Sequence, residues 1–406
     1  MVKFENPLNA WIGNIPATWQ TNKLKYLFYI KKDIAGEEGY TVLSVTQQGI
    51  IPKKMDAKGQ FASDYSKYQL VNPGEFVMNH MDLLTGWVDI SKFYGVTSPD
   101  YRVFCVIDEK TTCAEYYKFI FQLCYKYRIF YSLGQGVSGF GRWRLPANMF
   151  LNFEVPVPSY DEQNRIAQYL NNLTKKIDSM IEDAKMTIDD YKNLRVSKVR
   201  ELISGGLNKN RDFKNCNLDG IDAIPSEWIE CRLRFLCDIM TGNQDTQNAI
   251  DDGEYPFYVR SPKIERANTY TYDGEGILMA GDGAGAGRVF HYATGKYAIH
   301  QRVYCFHNFK NIKPKYFLYF IENMFPIVMD KGSAKSTVPS VRLPMIKDFV
   351  FCLPSEKEQT DIVNEIESIS VKFDDMIEEK QVLIGELEAY KLSLIYEYVT
   401  GKRKVV

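Results

Sequence analysis

The chain repeats itself, and that repeat restricts its possible folds more than any other feature. Ile15-Pro16-Ala17-Thr18-Trp19, followed by Leu24 and Leu27, recurs as Ile224-Pro225-Ser226-Glu227-Trp228, followed by Leu233 and Leu236, at a shift of 209 residues. Pro158-Ser159-Tyr160-Asp161-Glu162-Gln163 recurs as Pro354-Ser355-Glu356-Lys357-Glu358-Gln359 at a shift of 196. The second register continues down the chain, pairing Ile166 with Ile362, Ile177 with Phe373, Asp178 with Asp374, Glu201 with Glu397 and Gly205 with Gly401. The chain is therefore two copies of one unit, the second copy being 13 residues shorter between the matched blocks. Inside those central regions only fragments align, such as Tyr101-Arg102-Val103-Phe104 with Gln301-Arg302-Val303-Tyr304, and Arg144-Leu145-Pro146 with Arg342-Leu343-Pro344.

Each second block reads as a long helix with explicit ends. Ser159 with Glu162, and Ser355 with Glu358, have capping-box spacing. Gly205 and Gly401 supply left-handed stops. Apolar positions step by fours and threes through Ile166, Leu170, Leu173, Ile177, Met180, Ala184, Ile188, Tyr191, Leu194 and Leu202. The second helix repeats the pattern in Ile362, Ile366, Ile369, Phe373, Met376, Leu383, Leu387, Tyr390, Leu394 and Tyr398. This is a heptad seam, and at ~1.5 Å per residue each helix runs on the order of 60 Å. Burial against a globular core is the competing reading, but the narrow stripe and charged flanks favour helix on helix. The Asn- and Lys-rich stretch 206–218 reads as a linker that spans at most ~43 Å, less than a helix length. The second helix is therefore expected to return antiparallel to the first, with a globular domain at each end.

The expected fold class is α+β: two pseudo-repeated globular domains, 1–158 and 219–354, and two long antiparallel coiled-coil helices, 159–205 and 355–401. β-rich runs such as Tyr40 to Val45, Glu75 to Met78, Arg102 to Ile107, Gly276 to Met279 and Arg302 to Phe306 alternate with turn residues. Each block also has one apolar helix near its end, Ala114 to Leu133 and Pro314 to Met329.

Composition narrows the function. At 406 residues, 45% apolar and 25% charged, the chain is an ordinary globular protein rather than a disordered one. No apolar run approaches the ~20 residues of a membrane span, and the start MVKFENPLNAW lacks a signal-peptide layout, so a cytoplasmic protein is expected. Eight cysteines without a Cys-x-x-Cys pair, and only four histidines, fit neither a disulfide framework nor a zinc site, so no metal is expected. The net charge of -1 conceals a segregation that matters more. Residues 255–347 hold 13 basic against 6 acidic groups, whereas 356–390 hold 3 against 11. Basic and acidic functions thus sit on different segments, and the acidic helix suits a basic protein partner better than DNA, whose phosphates it would repel.

Catalytic motifs fail one after another. Gly134-Gln135-Gly136-Val137-Ser138-Gly139 has the dinucleotide-binding spacing, but it follows a helix and leads into Arg142-Trp143-Arg144-Leu145-Pro146, leaving no helix N-terminus for a pyrophosphate. Gly281-Asp282-Gly283-Ala284-Gly285-Ala286-Gly287 lacks Gly-Lys-Ser/Thr and reads as a flexible hairpin or surface loop. No Asn-Pro-Pro-Tyr or Asp-Pro-Pro-Tyr stretch of an amino-methyltransferase is present. What remains is binding chemistry in the loops 134–144 and 331–342. The first offers Gln135, Ser138, Arg142, Trp143 and Arg144, the second Lys331, Lys335, Ser336 and Arg342. Forked donors on glycine- and serine-rich backbone suit phosphates and base edges.

The motif pair, Pro158 to Gln163 leading into a long helix that closes with Leu202-Ile203-Ser204-Gly205 and its second copy closing with Val399-Thr400-Gly401-Lys402, each unit opening on Ile-Pro-x-x-Trp, resembles the specificity subunit of type I restriction-modification systems over essentially the whole chain. The resemblance implies two target-recognition domains that each read one half of a split, asymmetric double-stranded DNA site. It also implies helices that set the spacing, two docked methyltransferase subunits, and restriction subunits joined through the complex. It implies no chemistry and no cofactor for the chain itself: S-adenosylmethionine belongs to the modification subunits, ATP and magnesium to the restriction subunits. A coiled-coil scaffold with two ligand-binding end domains and no DNA role is the alternative.

Overall fold

A computed structural model describes residues 11–53, 65–136, 143–332 and 339–405. The chain divides into two compact units, Met1–Ala184 with Val382–Val406, and Lys185–Gln381. Each unit holds one globular block together with part of both long helices.

In the first unit an antiparallel sheet runs in the order β1 (Phe28–Lys31), β4 (Arg102–Val106), β2 (Phe76–Met78), β3 (Val88–Ile90). The helix Ala114–Lys126 covers one face, where Phe28, Phe76, Phe104 and Phe121 meet edge to face or stacked at 4.8–5.7 Å. The second unit has the same order: β5 (Asp238–Thr241), β8 (Val303–His307), β6 (Gly276–Ala280), β7 (Phe290–Ala293), covered by the helix Pro314–Gly332. Its sheet-to-helix contact is Phe306 against Phe317 at 5.2 Å, backed by Phe351. Ladder register corrects the fragment match made from sequence. Ile30 opposes Phe104 and Phe104 opposes Phe76, just as Ile239 opposes Phe306 and Phe306 opposes Ile277. Phe104 is thus equivalent to Phe306, two residues beyond Tyr304. The slip went unseen because a shift of two leaves every side chain on the same face.

Around this common sheet the units diverge. The first adds two antiparallel pairs, Leu43–Thr46 with Gly49–Pro52 and Gln69–Val71 with Gly95–Thr97. The second adds another four-stranded sheet, in which Tyr255–Tyr258 pairs in parallel with Lys296–Ile299. The stretch read as a linker is also partly regular: Phe213–Leu218 pairs antiparallel with Ile221–Pro225 around Asp219-Gly220. That Asp-Gly turn, with Gly220 at φ +89°, was the hairpin signal hidden by the Asn- and Lys-rich composition.

The long helices run Tyr160–Gly205 and Glu356–Val399. In the first unit Tyr169 meets the ring of Tyr398, and Asp178 pairs with Lys391 at 2.6 Å. In the second, Tyr191 meets Phe373 and Arg195 pairs with Asp374 at 2.7 Å, while Gly206 lies beside Glu358. From Tyr169 and Tyr398 to Asp178 and Lys391, and from Arg195 and Asp374 to Gly206 and Glu358, one number rises as the other falls, so the helices are antiparallel. Ile166, Leu170 and Ile177 are buried, as are Ile362, Ile366 and Phe373, with Leu173 and Ile369 half-buried.

Farther along, the seam keeps its four-and-three steps but is offset by one residue in places from the positions read in the sequence. Leu170, Thr174, Ile177, Ile181, Ala184 and Ile188 are buried on one helix, and Val363, Ile366, Phe373, Leu394 and Tyr398 on the other, with Ile377, Ile384 and Leu387 half-buried between them. Met180, Leu194, Met376, Leu383 and Tyr390 are exposed. Steps of four and three are the heptad period, which keeps one stripe of each helix on the seam.

The helix ends are built by matching devices. Ser159 and Ser355 accept the N–H of Glu162 and Glu358. The glutamates do not complete the expected box, however. Glu162 accepts the indole N–H of Trp19, and Glu358 that of Trp228, both at 3.0 Å. At the far ends the left-handed residues are Gly206 (φ +66°) and Gly401 (φ +71°); Gly205, the stop read from the repeat, stays helical, and the turn comes one residue later. A Cβ on Gly401 would lie 2.5 Å from Pro16 Cδ, so Gly401→Ala should lower stability by about 1–2 kcal/mol or more. Gly385 lies within the second helix with nothing within 4 Å of an added Cβ, so Gly385→Ala should instead raise stability by up to ~1 kcal/mol. Denaturant midpoints of the two variants check the pair; a shift of the same sign in both would contradict this account.

Candidate nucleic-acid interface

In the first unit the ends of β1 and β4, the turn after β2 and the loop leading to Pro146 enclose a cleft of about 690 Å³. Lys32, His80, Arg102, Gln135 and Arg144 line it, and among the described residues no carboxylate does. Gln135 and Arg144, two of the residues singled out from sequence, are held opposite each other by reciprocal backbone hydrogen bonds of 2.9 and 3.1 Å. Both side chains are exposed. Ser138 and Arg142, between them in sequence, lie outside the described residues. Trp143 behaves differently from expectation. Its indole N–H donates to Tyr131 O at 2.7 Å, its ring packs on Tyr131, and it closes over Gly134, where any Cβ would meet it. The ring props the loop, with its single donor already satisfied.

Arg102 and His80 were missed as candidates. Arg102 is 5% exposed, its Nη2 donating to Leu145 O at 2.8 Å and its guanidinium lying over the Phe150 ring. Burial lowers its pKa to about 10, which still leaves it charged at neutral pH. His80 is pushed down to about 4 by burial and by the nearby charges of Arg102 and Arg144, so its ring is neutral, and its Nδ1 is buried without a hydrogen-bond partner. The only signal in the sequence was an arginine opening an otherwise apolar strand.

The second unit treats the equivalent wall in another way. Tyr304 Oη donates to Val341 O at 3.1 Å, matching the contact of Arg102 with Leu145 O. A phenol thus stands where the first unit has a guanidinium. Beside it Asp282 takes both Arg260 and Arg302, at 2.9 and 3.0 Å. The glycine-rich loop 281–287 is not the free hairpin expected. Gly281 O accepts the N–H of Val341, Gly283 N–H donates to Pro339 O, and an added Cβ on Gly287 would strike Met329 and Phe325. Its glycines permit close packing rather than motion. Arg342 is exposed at the start of the short helix Leu343–Asp348. Lys335, Ser336 and the Lys331 side chain lie outside the described residues.

Among the described residues no cluster of His, Cys, Asp or Glu is arranged to hold a metal, and no helix is long and apolar enough to cross a membrane. The eight cysteines are free thiols, five of them buried.

Against known proteins, the profile of the type I restriction modification DNA specificity domain matches twice, over residues 16–185 and 225–384. The chain belongs to that family. Each match begins at the Ile-Pro-x-x-Trp motif and runs well into a long helix, so the family's repeat is the repeat seen in the sequence. Similar curated proteins are the specificity subunit of the Escherichia coli type I restriction enzyme EcoDI, 28% identical over 36% of this chain and 32% of the relative, and that of MjaVIII from Methanocaldococcus jannaschii, 20% identical over 56% and 51%. The alignments thus span a third to a half of those relatives' lengths. Among solved structures, a chain from a study of complex assembly and conformational transition in the type I R-M system aligns with a TM-score of 0.68 at 15% identity, covering 96% of this chain and all of that one. The HsdS subunit from Thermoanaerobacter tengcongensis aligns at 0.51 and 15% identity, over 96% and 98%. These two likenesses establish the specificity-domain fold.

Proposed function

We propose that the chain is the specificity subunit of a type I restriction-modification system. It is a non-catalytic, cytoplasmic DNA-binding protein that reads a bipartite, asymmetric site and directs adenine methyltransferase subunits to it, two of them, with restriction subunits joining through the complex. The observation that carries this reading is the doubled family match, falling on two units that share one sheet order. They present different chemistry on the equivalent wall: a buried guanidinium in one, a phenol beside a neutralised arginine pair in the other. Different walls on one scaffold are what two readers of two unlike half-sites require. Gln135, Ser138, Arg142 and Arg144 serve the first half-site, and Lys331, Lys335, Ser336 and Arg342 the second. Two weak readers on one chain make the second contact intramolecular, so their affinities combine under a distance requirement.

Exchanging residues 20–157 for the equivalent block of a relative tests this. Methylation-sensitive sequencing of host DNA should then show one half-site replaced and the other retained. Two half-sites changing together, or methylation that does not depend on the chain, would refute it.

A further inference from the structure

Arg102 presents an energetic problem that the protein alone does not solve. Its guanidinium is buried over the Phe150 ring, yet its one strong hydrogen bond goes to the neutral Leu145 carbonyl, and its remaining polar contact is the Met78 sulfur at 4.0 Å. No carboxylate pairs with it among the described residues. A charge taken out of water without a counter-charge costs several kcal/mol, and buried arginines are ordinarily paired for that reason. The site is therefore incomplete as it stands.

Its surroundings indicate what would complete it. Arg102 lines the cleft together with Lys32 and Arg144, without a carboxylate among the described residues, so the cleft gathers three positive charges. A neutral base edge could accept hydrogen bonds from the guanidinium but would leave that charge uncompensated. A phosphodiester supplies both the charge and paired oxygens that match a guanidinium fork. The second unit gives an internal comparison: Tyr304 replaces the guanidinium, and Asp282 neutralises Arg260 and Arg302 in place.

Building on the DNA-binding reading, we propose that the first unit's cleft is a phosphodiester site in which Arg102 is the buried anchor and Lys32 and Arg144 the flanking cations, and that the second unit lacks its counterpart. The first reader then contributes more of the salt-dependent affinity than the second.

The test uses the full chain with a mixed-sequence DNA duplex and, separately, inorganic phosphate. Arg102→Met should weaken binding alike on every sequence and reduce the slope of log affinity against log salt by ~1, the amount one released counterion contributes. Without DNA its thermal midpoint should equal or exceed the wild-type value, because the uncompensated charge is gone. Phosphate should raise the wild-type midpoint and leave that of Arg102→Met unmoved. Lys32→Met, at an exposed position that cannot compromise folding, should reduce the salt slope in the same direction. A lower midpoint with an unchanged slope would make Arg102 a structural arginine, and a loss confined to one base position would make it a base reader; either overturns the proposal. A phosphate effect without DNA binding would leave the anion site standing while the DNA reading falls, whereas DNA binding with an unaltered slope in both variants would do the reverse.

Discussion

Replacing Gln163 by leucine should destabilise the first unit by roughly 2–4 kcal/mol, and Gln359→Leu should do the same to the second, because each glutamine satisfies three backbone groups at once, some buried and some partly buried. Gln163 Oε1 accepts the Cys113 N–H at 2.8 Å, while its Nε2 donates to Thr111 O and Pro158 O at 3.2 and 3.0 Å. Gln359 repeats the set with Lys313 N–H, Asn311 O and Pro354 O at 2.7, 3.2 and 3.1 Å. Both side chains are fully buried. Leucine fills nearly the same volume, so packing is kept and the cost is that of one donor and two acceptors left without partners. Each glutamine ties the loop before the sheet-covering helix to the first turn of a long helix, so the loss should be felt at that junction. Amide exchange at Cys113 and Lys313 gives the local reading and the denaturant midpoint the global one. Wild-type protection at those amides in the leucine variants would show that the glutamines are not structural keystones.

The second large effect is on spacing. If the two long helices set the distance between the half-sites, inserting seven residues after Ala184 and seven after Lys380 should lengthen the helix pair by ~10 Å and the spacer by up to about three base pairs. The half-site sequences should stay as they are, because no reader residue is touched. Seven residues preserve the four-and-three seam of Leu170, Thr174, Ile177, Ile181, Ala184 and Ile188. Eleven rotate one half of the seam by roughly 50° against the other and should assemble less well with the methyltransferase. An insertion in one helix alone breaks the pairing in either case. The methylated motif, read from genomic DNA, decides. An unchanged spacer in a folded and active complex would show that something other than the helices measures the distance.

The two units, the α+β class, the long helices and the family could all be read from the chain, because each rests on local or repeated signals: a capping serine, a stopping glycine, an apolar stripe, a motif that occurs twice. What could not be read are the choices that local sequence leaves degenerate. A four-and-three stripe can be entered at either of two neighbouring apolar residues, and only packing over the whole helix exposed Met180 and buried Ile181. Glu162 has capping-box spacing, but its partner is Trp19, 143 positions away, so two motifs that recur together in the sequence turned out to be one contact. Arg102 reads as one strand residue among several, and its burial facing a cleft lined by Lys32 and Arg144 exists only after β1, β4 and the loop to Pro146 have converged. Local sequence sets which elements form. Which polar groups are left short of a partner is decided when segments distant in the chain exclude water together.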